Sequence, residues 1–582
     1  MTEPATNTND SIPKPGSQPK EKPWGRVLLA GGTDWTRLGK KDRPGSGIDQ
    51  EKRPDLLTPH ILRSLANVEI TSIHSSSTSC HCIALASDGT AWMFGRNLST
   101  CMGVVGVDEV SENGPRHLTP AHVKAAKGTK FVSAACGRGH SLLVGSGGEL
   151  WSVGTNTLGQ CGHSAAVSEI LHWRLVDGPK SGGKKENVIK AACGVTFSIV
   201  LTDTGKVYAF GSGEKGQLGN GRTGEHITAG NKSAYDIHSE PVLVKGLQGK
   251  HIVDIAAGNQ HSIVLDSEGF VYVFGYNGYC RLGLGNQTDA LLAKVVPQFA
   301  GPAELTRGAK IAAGPSNSVV IDRNGMYWMA GKWKNSGEGS SGQPYTTFKY
   351  IPDIMGCKVT HASSGGVTHF AICPDDESDV GPMTVAWGQN AANGELGLGE
   401  DAPRSATKPT KVIPLNGIDV IDIAAAQNTT FYLARPSEKL SELPRHPELP
   451  DVSEECVACK TDKGDAEDPL LCEKCDTPYH PSCLNPPLSS VPDGEWFCAA
   501  CTANPGAPIG DIPKNAAPPA AAPRKPRGKK AAVVEEEIVY AEDNIADDDK
   551  ADATDDDEEE YVESAGRKRK GGAKGGASKK KK

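Results

Sequence analysis

One pattern of apolar and polar positions recurs through the first 435 residues. A run of small residues leads to a polar or aromatic landmark, then an apolar stretch, a tight turn, a second apolar stretch and a closing glycine. Four copies are plain: AACGRGHSLLVGSGGELWSVG (Ala134–Gly154), AACGVTFSIVLTDTGKVYAFG (Ala191–Gly211), IAAGNQHSIVLDSEGFVYVFG (Ile255–Gly275) and IAAGPSNSVVIDRNGMYWMAG (Ile311–Gly331). Weaker copies close at Gly95 and Gly388. Short apolar stretches joined by Asp88-Gly89, Gly147-Gly148 and Asn324-Gly325 predict β-hairpins. In five copies the glycine lies 14 residues after the landmark: His81 to Gly95, His140 to Gly154, Phe197 to Gly211, His261 to Gly275 and Asn317 to Gly331. In the sixth, His369 to Gly388 is 19 residues, which predicts a longer turn.

The closing glycines stand 56 to 64 residues apart, the length of one propeller blade with its connecting loop. A second mark follows four of them: Gly159-Gln160-Cys161-Gly162, Gly216-Gln217-Leu218-Gly219, Arg281-Leu282-Gly283 and Gly394-Glu395-Leu396-Gly397. These glycines are expected at turn positions of positive φ. They form no phosphate loop, because no G-x-x-x-x-G-K-[ST] is present. Arg26–Gly31 reads as the second strand of a further hairpin, followed by Arg37-Leu38-Gly39, and its first strand lies in Ile423–Arg435. One blade is thus shared between the two ends of the repeat region, closing the ring and removing free sheet edges. The landmark histidines invite a catalytic or metal-binding reading. Phe197, Asn317 and Thr429 fill the same slot, so the slot is read as structural.

These residues, with GRVLLAGGTDWTRLGKK (Gly25–Lys41) and ANGELGLGEDAPRSAT (Ala392–Thr407), resemble the regulator of chromosome condensation family of seven-bladed propellers. Within it they look like the branch containing the telophase-disk mitotic protein. The resemblance implies chromatin association, exchange-factor contact with a small GTPase, or mitotic centromere and microtubule roles.

The cysteines change the picture after residue 450. Seven of the 16 fall in Cys456-x2-Cys459-x12-Cys472-x2-Cys475-x4-His480-x2-Cys483-x14-Cys498-x2-Cys501. Four close pairs suit two closed tetrahedral Zn2+ sites, with no position open for a reacting water. The other nine cysteines sit among small and apolar residues and read as reduced core thiols. A RING domain would place its histidine earlier. This order, with Trp496 two residues before Cys498, resembles a PHD finger. In that family the ligands interleave. Cys456, Cys459, His480 and Cys483 would hold the first zinc, and Cys472, Cys475, Cys498 and Cys501 the second.

PHD fingers commonly read the amino-terminal tail of histone three as an added strand, here beside Pro469-Leu470-Leu471. Trimethyl-lysine readers need a ring cage, and their usual aromatic positions hold Pro478 and Glu455 here. In place of rings stand carboxylates, which suit an unmodified lysine with its N–H donors intact. By resemblance, Glu454 and Asp468 would face the tail's fourth-position lysine. Glu473 and Asp476 would face its second-position arginine. Carbonyls of Pro492, Asp493 and Gly494 would take its α-amino group.

Charge bears on the termini. The net charge of −8 conceals a block at 535–563 of 16 acids and one lysine, a local −15, which leaves +7 for the rest. Blocks this dense are expected to be disordered. Pro523–Lys530, Arg567–Lys570 and Lys579–Lys582 read as nuclear import signals, and the first also weakly resembles an AT-hook for the DNA minor groove. Residues 436–452 are Pro-rich and polar and read as a semi-rigid spacer. No run of about 18 apolar residues is seen, and residues 1–22 are polar, without a signal-peptide core.

The expectation is an all-β seven-bladed propeller at 23–435, a linker at 436–452, a small zinc-stapled PHD finger at 453–504 and a disordered charged tail at 505–582. Function is expected to be that of a nuclear, non-catalytic chromatin adaptor with no membrane partner. The finger binds the histone-three tail of the nucleosome, unmodified at its fourth lysine. The basic patches add attraction to DNA. The alternative is nucleotide exchange on a small GTPase by the propeller. A ubiquitin ligase is disfavoured by the ligand order.

Overall fold

The computed structural model describes residues 23–38, 53–374, 381–449, 455–464, 467–492 and 494–509. Seven antiparallel sheets form a propeller. Blade 2 shows the plan: Phe131–Cys136, His140–Gly145, Leu150–Thr155 and Glu169–Leu175 pair in chain order. The second strand of every blade is buried along its whole length. A strand with both faces covered needs apolar residues at both parities, hence runs such as Ser-Ile-Val-Leu rather than alternation.

In all copies but the sixth the closing glycine lies opposite its landmark, as in His81↔Gly95, His140↔Gly154 and Thr429↔Gly31. In blade 2 the ladder to the outer strand shifts register between Ser152 and Gly154. Gly154 has φ +104°, and a Cβ there would lie 2.3 Å from Gly139 O and 2.8 Å from His140 Cα. A side chain is therefore barred at this bulge by both conformation and space.

The sixth copy needs a correction. Thr368, not His369, lies opposite Gly388. His369 occupies the next position, and residues 375–380, on which the expectation of a longer turn falls, lie outside the described residues. Spacing alone could not fix the slot once the turn length changed. The pairing shows it.

Ring closure follows the expected plan. Val420–Ala425, Thr429–Ala434, Arg26–Gly31 and Leu56–Leu62 form blade 7, with the amino-terminal strand between partners from both ends of the repeat region. Residues 436–449 depart from the spacer reading. Glu438–Ser441 is a helical turn with Ser437 accepting from Leu440 N, and Leu440 and Leu443 are buried. Arg445–His446 pairs in parallel with Leu56–Leu62 as a fifth strand. His446 Nε2 meets Glu112 Oε1 at 2.8 Å, and Trp35 Nε1 donates to Glu112 Oε2 at 2.6 Å. Burial works against the Glu112 charge, but these bonds outweigh it and hold the carboxyl below the ordinary glutamate value. Two leucines and this cluster hold to the blade a segment whose prolines suggested extension. Among the described residues, no helix is long and apolar enough to cross a membrane.

Candidate zinc centres and the finger–propeller contact

Two turns of the same design begin the finger. In one, Lys460 N donates to Cys456 O at 2.8 Å and Lys460 has φ 61°. In the other, Asp476 N donates to Cys472 O at 2.8 Å and Asp476 has φ 51°. Each turn aims two thiols at one point. Backbone N–H groups support them, with His480 N donating to Cys456 Sγ and Cys498 N to Cys472 Sγ, both at 3.3 Å.

The quartets assemble as expected: Cys456, Cys459, His480 and Cys483 in one, Cys472, Cys475, Cys498 and Cys501 in the other. In each, the four ligand atoms lie within 4.8 Å of one another. A tetrahedral zinc with Zn–S near 2.3 Å needs sulfurs about 3.8 Å apart. Cys475 and Cys498 sulfurs are 3.8 Å apart, and His480 Nδ1 lies 3.3 Å from Cys459 Sγ and 3.8 Å from Cys483 Sγ. The hydrogen bond with Thr461 pulls the Cys459 thiol down to about 6, towards the thiolate that a metal needs. The donor sets fit two Zn2+, which would supply folding energy, not chemistry on a substrate. Tyr479 and Trp496 pack edge to face at 5.7 Å beside the second quartet.

Leu470–Leu471 pairs with Pro478–Tyr479, and among the described residues its other edge has no strand partner. Leu471 and Asp468 are exposed, Leu470 and Pro492 are half-buried, and Gly494 is exposed with φ 92°. Pro478 is buried. Glu454 and Asp493 lie outside the described residues.

Glu473 and Asp476 are engaged elsewhere. Arg63 of the propeller donates Nη1 and Nη2 to Asp476 Oδ1 and Oδ2 at 2.8 and 2.6 Å, a bidentate pair. Arg445 Nη2 pairs with Glu473 Oε2. Between these acids, Lys474 is 0% exposed, with Nζ donating to Ser64 O at 3.1 Å and Asn67 Oδ1 at 3.4 Å. Asn67 Nδ2 donates to Cys501 O at 2.7 Å. Arg26, at the first position of the amino-terminal strand, grips Glu495 from Nε and Nη2 at 2.9 and 2.7 Å, with Nη1 on Val68 O. The second quartet is thus seated on the propeller. Sequence reasoning missed Arg26, Arg63, Asn67 and Lys474. Arg26 and Arg63 stand among apolar residues, an unusual place for a charge, and that was their one signal.

The face used is set by the blade plan. Turns between first and second strands share an end with the loops after the third, as Thr155 N donating to Gly139 O shows. Arg26 and Asn67 lie at the other end, where Gly25 bridges to Ile70. Among the described residues, these finger contacts leave the end with the Gly137–Gly139 turn uncovered. It carries Lys215 and Arg281 over the Tyr276 ring, Lys332 over Tyr279 and Lys334 over Trp333.

A family model described as RCC1-like domain matches residues 26–432, and a PHD-finger model matches 456–501. The chain belongs to the RCC1-like family. This RCC1-like propeller carries a PHD finger as a second module. Its curated relatives include the Xenopus laevis protein RCC2 homolog, 29% identical over 473 residues, covering 77% of this chain and 84% of that one. Human protein RCC2 is 28% identical over 470 residues, with 77% and 83% covered. Among solved structures, yeast RCC1 (Prp20) bound by Kap60 matches at TM-score 0.56 and 17% identity, covering 76% of this chain and 98% of that one. A structure of Prp20p from Saccharomyces cerevisiae, described with its binding properties to Gsp1p and histones, matches at TM-score 0.54 and 16% identity, with 72% and 94% covered. At these identities the structures support the fold alone.

Proposed function

We propose that this chain is a nuclear chromatin adaptor whose PHD finger binds the histone-three tail, unmodified at its fourth lysine. The observation that carries this reading is the open edge of Leu470–Leu471 beside exposed Asp468, on a scaffold whose zinc sites are closed. An open edge offers backbone hydrogen bonds to an extended peptide, and alternate side chains set its register. Asp468 and Glu454 favour a lysine that keeps its N–H donors. Buried Pro478 offers no ring for a methylammonium cage. The basic patches at 523–530, 567–570 and 579–582, outside the described residues, would supply nuclear import and salt-dependent attraction to DNA.

Calorimetric titration of the full chain with tail peptides tests the reading. Tighter binding of the unmodified than of the fourth-lysine-trimethylated peptide is expected, weakened about tenfold in Asp468→Ala by loss of a charge-assisted hydrogen bond. Preference for the trimethylated peptide would overturn it.

A second reading, guanine-nucleotide exchange on a small GTPase, is favoured by the open propeller face with its cation-on-ring loops. An exchange assay decides. Activity that survives removal of the finger's zinc would establish it.

A further inference from the structure

The finger's contact with the propeller uses the very acids that the tail reading reserves for an incoming arginine. Asp476 accepts both terminal nitrogens of Arg63, and Glu473 pairs with Arg445. Both guanidinium groups come from outside the finger. Arg63 is fixed from three further directions: it lies at the start of the short helical turn Arg63–Leu65, its Nε donates to Pro447 O at 2.8 Å, and its Nη1 also reaches Lys474 O at 3.2 Å. Its side chain is 8% exposed, against 27% for Asp476. Arg445 is held by the parallel pairing of its own segment with Leu56–Leu62. These are prearranged cations. They meet two carboxylates on an otherwise zinc-built module.

From this we infer that Arg63 and Arg445 act as a ligand in cis. They occupy the acidic pocket of the finger, so a basic peptide needing Glu473 and Asp476 must displace them and loosen the finger from the propeller. The inference rests on the tail reading above and adds its regulation. Arg63 already takes one bond from each Asp476 oxygen, so an incoming arginine cannot adopt the same bidentate geometry while Arg63 stays, and the two compete for it. The open strand edge lies outside the clasp. A tail therefore has a first foothold at Leu470–Leu471 before the arginine step. The apparent affinity of the closed form is lowered by the fraction of molecules in which the pocket is free. Displacement also has a reporter far from the peptide, because the same movement exposes Lys474 and the carbonyl of Cys501 that Asn67 holds.

The experiment uses the full chain and two readouts. The chains are wild type, Arg63→Ala with Arg445→Ala, the single variant Arg445→Ala, and Asp476→Ala. Hydrogen–deuterium exchange at 472–476 and 498–504 reports docking. Calorimetry with the unmodified histone-three tail peptide reports binding. Arg445 sits on the short strand added at the outer edge of blade 7, beyond the four strands of the blade plan, so its single variant keeps the test decisive if the double variant folds poorly.

The expected result has three parts. Exchange rises in every variant. Peptide affinity rises about tenfold in the arginine variants, as for a pocket about nine-tenths occupied in cis. In Asp476→Ala, exchange rises without a gain in affinity. Peptide added to wild type should also raise exchange at 472–476. Raised exchange with measurable but unchanged affinity would overturn the competition while leaving the tail reading intact. Unchanged exchange in the arginine variants would overturn the clasp itself. Raised exchange with no peptide binding by any chain would overturn the tail reading, and the inference with it.

Discussion

At the scale of single residues, the landmark slot joins neighbouring blades. His81 Nε2 meets Ser141 Oγ at 2.8 Å, His140 meets Ser198 at 2.9 Å and His261 meets Ser318 at 3.1 Å. Ser198 Oγ donates its own hydrogen to Gln160 O, so His140 must donate through Nε2. Where Phe197 fills the slot, the hydroxyl it would serve, Ser262 Oγ, is buried without a partner. This repetition makes the histidines structural, and their burial makes them sensitive to acid. Desolvation lowers His140 and His261 to about 3 and His81 to about 4. The folded state refuses protons that the unfolded chain accepts below the ordinary histidine value of about 6.5. Stability from these rings is therefore complete above about pH 6.5 and is lost as pH falls towards 3 to 4. His261→Asn, copying Asn317 in the next blade, is expected to flatten that fall by up to about 1.4 kcal/mol per pH unit. Denaturant midpoints between pH 7 and 4.5 check it, and an unchanged slope would refute the assignment.

At the scale of elements, the hairpins and the finger were legible because their signals are local. A turn dipeptide between apolar runs, or two cysteines separated by two residues, reports contacts made within a few positions. The linker reads as extended because four prolines are spread along 436–452, while the two leucines that anchor it, Leu440 and Leu443, form no periodic pattern. The slip from Thr368 to His369 has the same origin, since counting fails where one turn is longer. The two quartets also differ in a way that spacing does not reveal. Cys459 is exposed, whereas Cys472 and Cys501 are fully buried where the finger meets the propeller. A chelator should therefore strip zinc in two phases, Cys456–Cys459–His480–Cys483 first, and Arg63→Ala should hasten the second phase selectively. An indicator of released zinc measures both. Simultaneous release in wild type would contradict a protected second site.

At the scale of the whole molecule, the contact between finger and ring was not legible at all. Arg26 and Glu495 are 469 positions apart, and neither has a local pattern that names the other. The side chains of Arg26 and Glu495 are 7% and 15% exposed, so removing one partner leaves the other charge buried and unpaired. Such losses cost about 3–5 kcal/mol. Arg26→Ala should thus separate two events that coincide in the wild type. Calorimetric unfolding is expected to resolve a finger transition from the propeller transition. Chelation should lower the propeller midpoint in the wild type but not in the variant. A single transition in Arg26→Ala would show that the remaining contacts suffice to couple the two modules.

The blade shared by both ends of the repeat also sets a timetable for synthesis. Arg26–Gly31 leaves the ribosome early, yet its partner Thr429–Ala434 is made about 400 residues later. At roughly 5–20 residues per second, that interval is on the order of 20–80 s. Throughout it, a strand with the apolar core Val-Leu-Leu-Ala presents one unpaired edge. That edge has no native partner until the seventh blade arrives, and only after closure does Arg26 have a finger to hold.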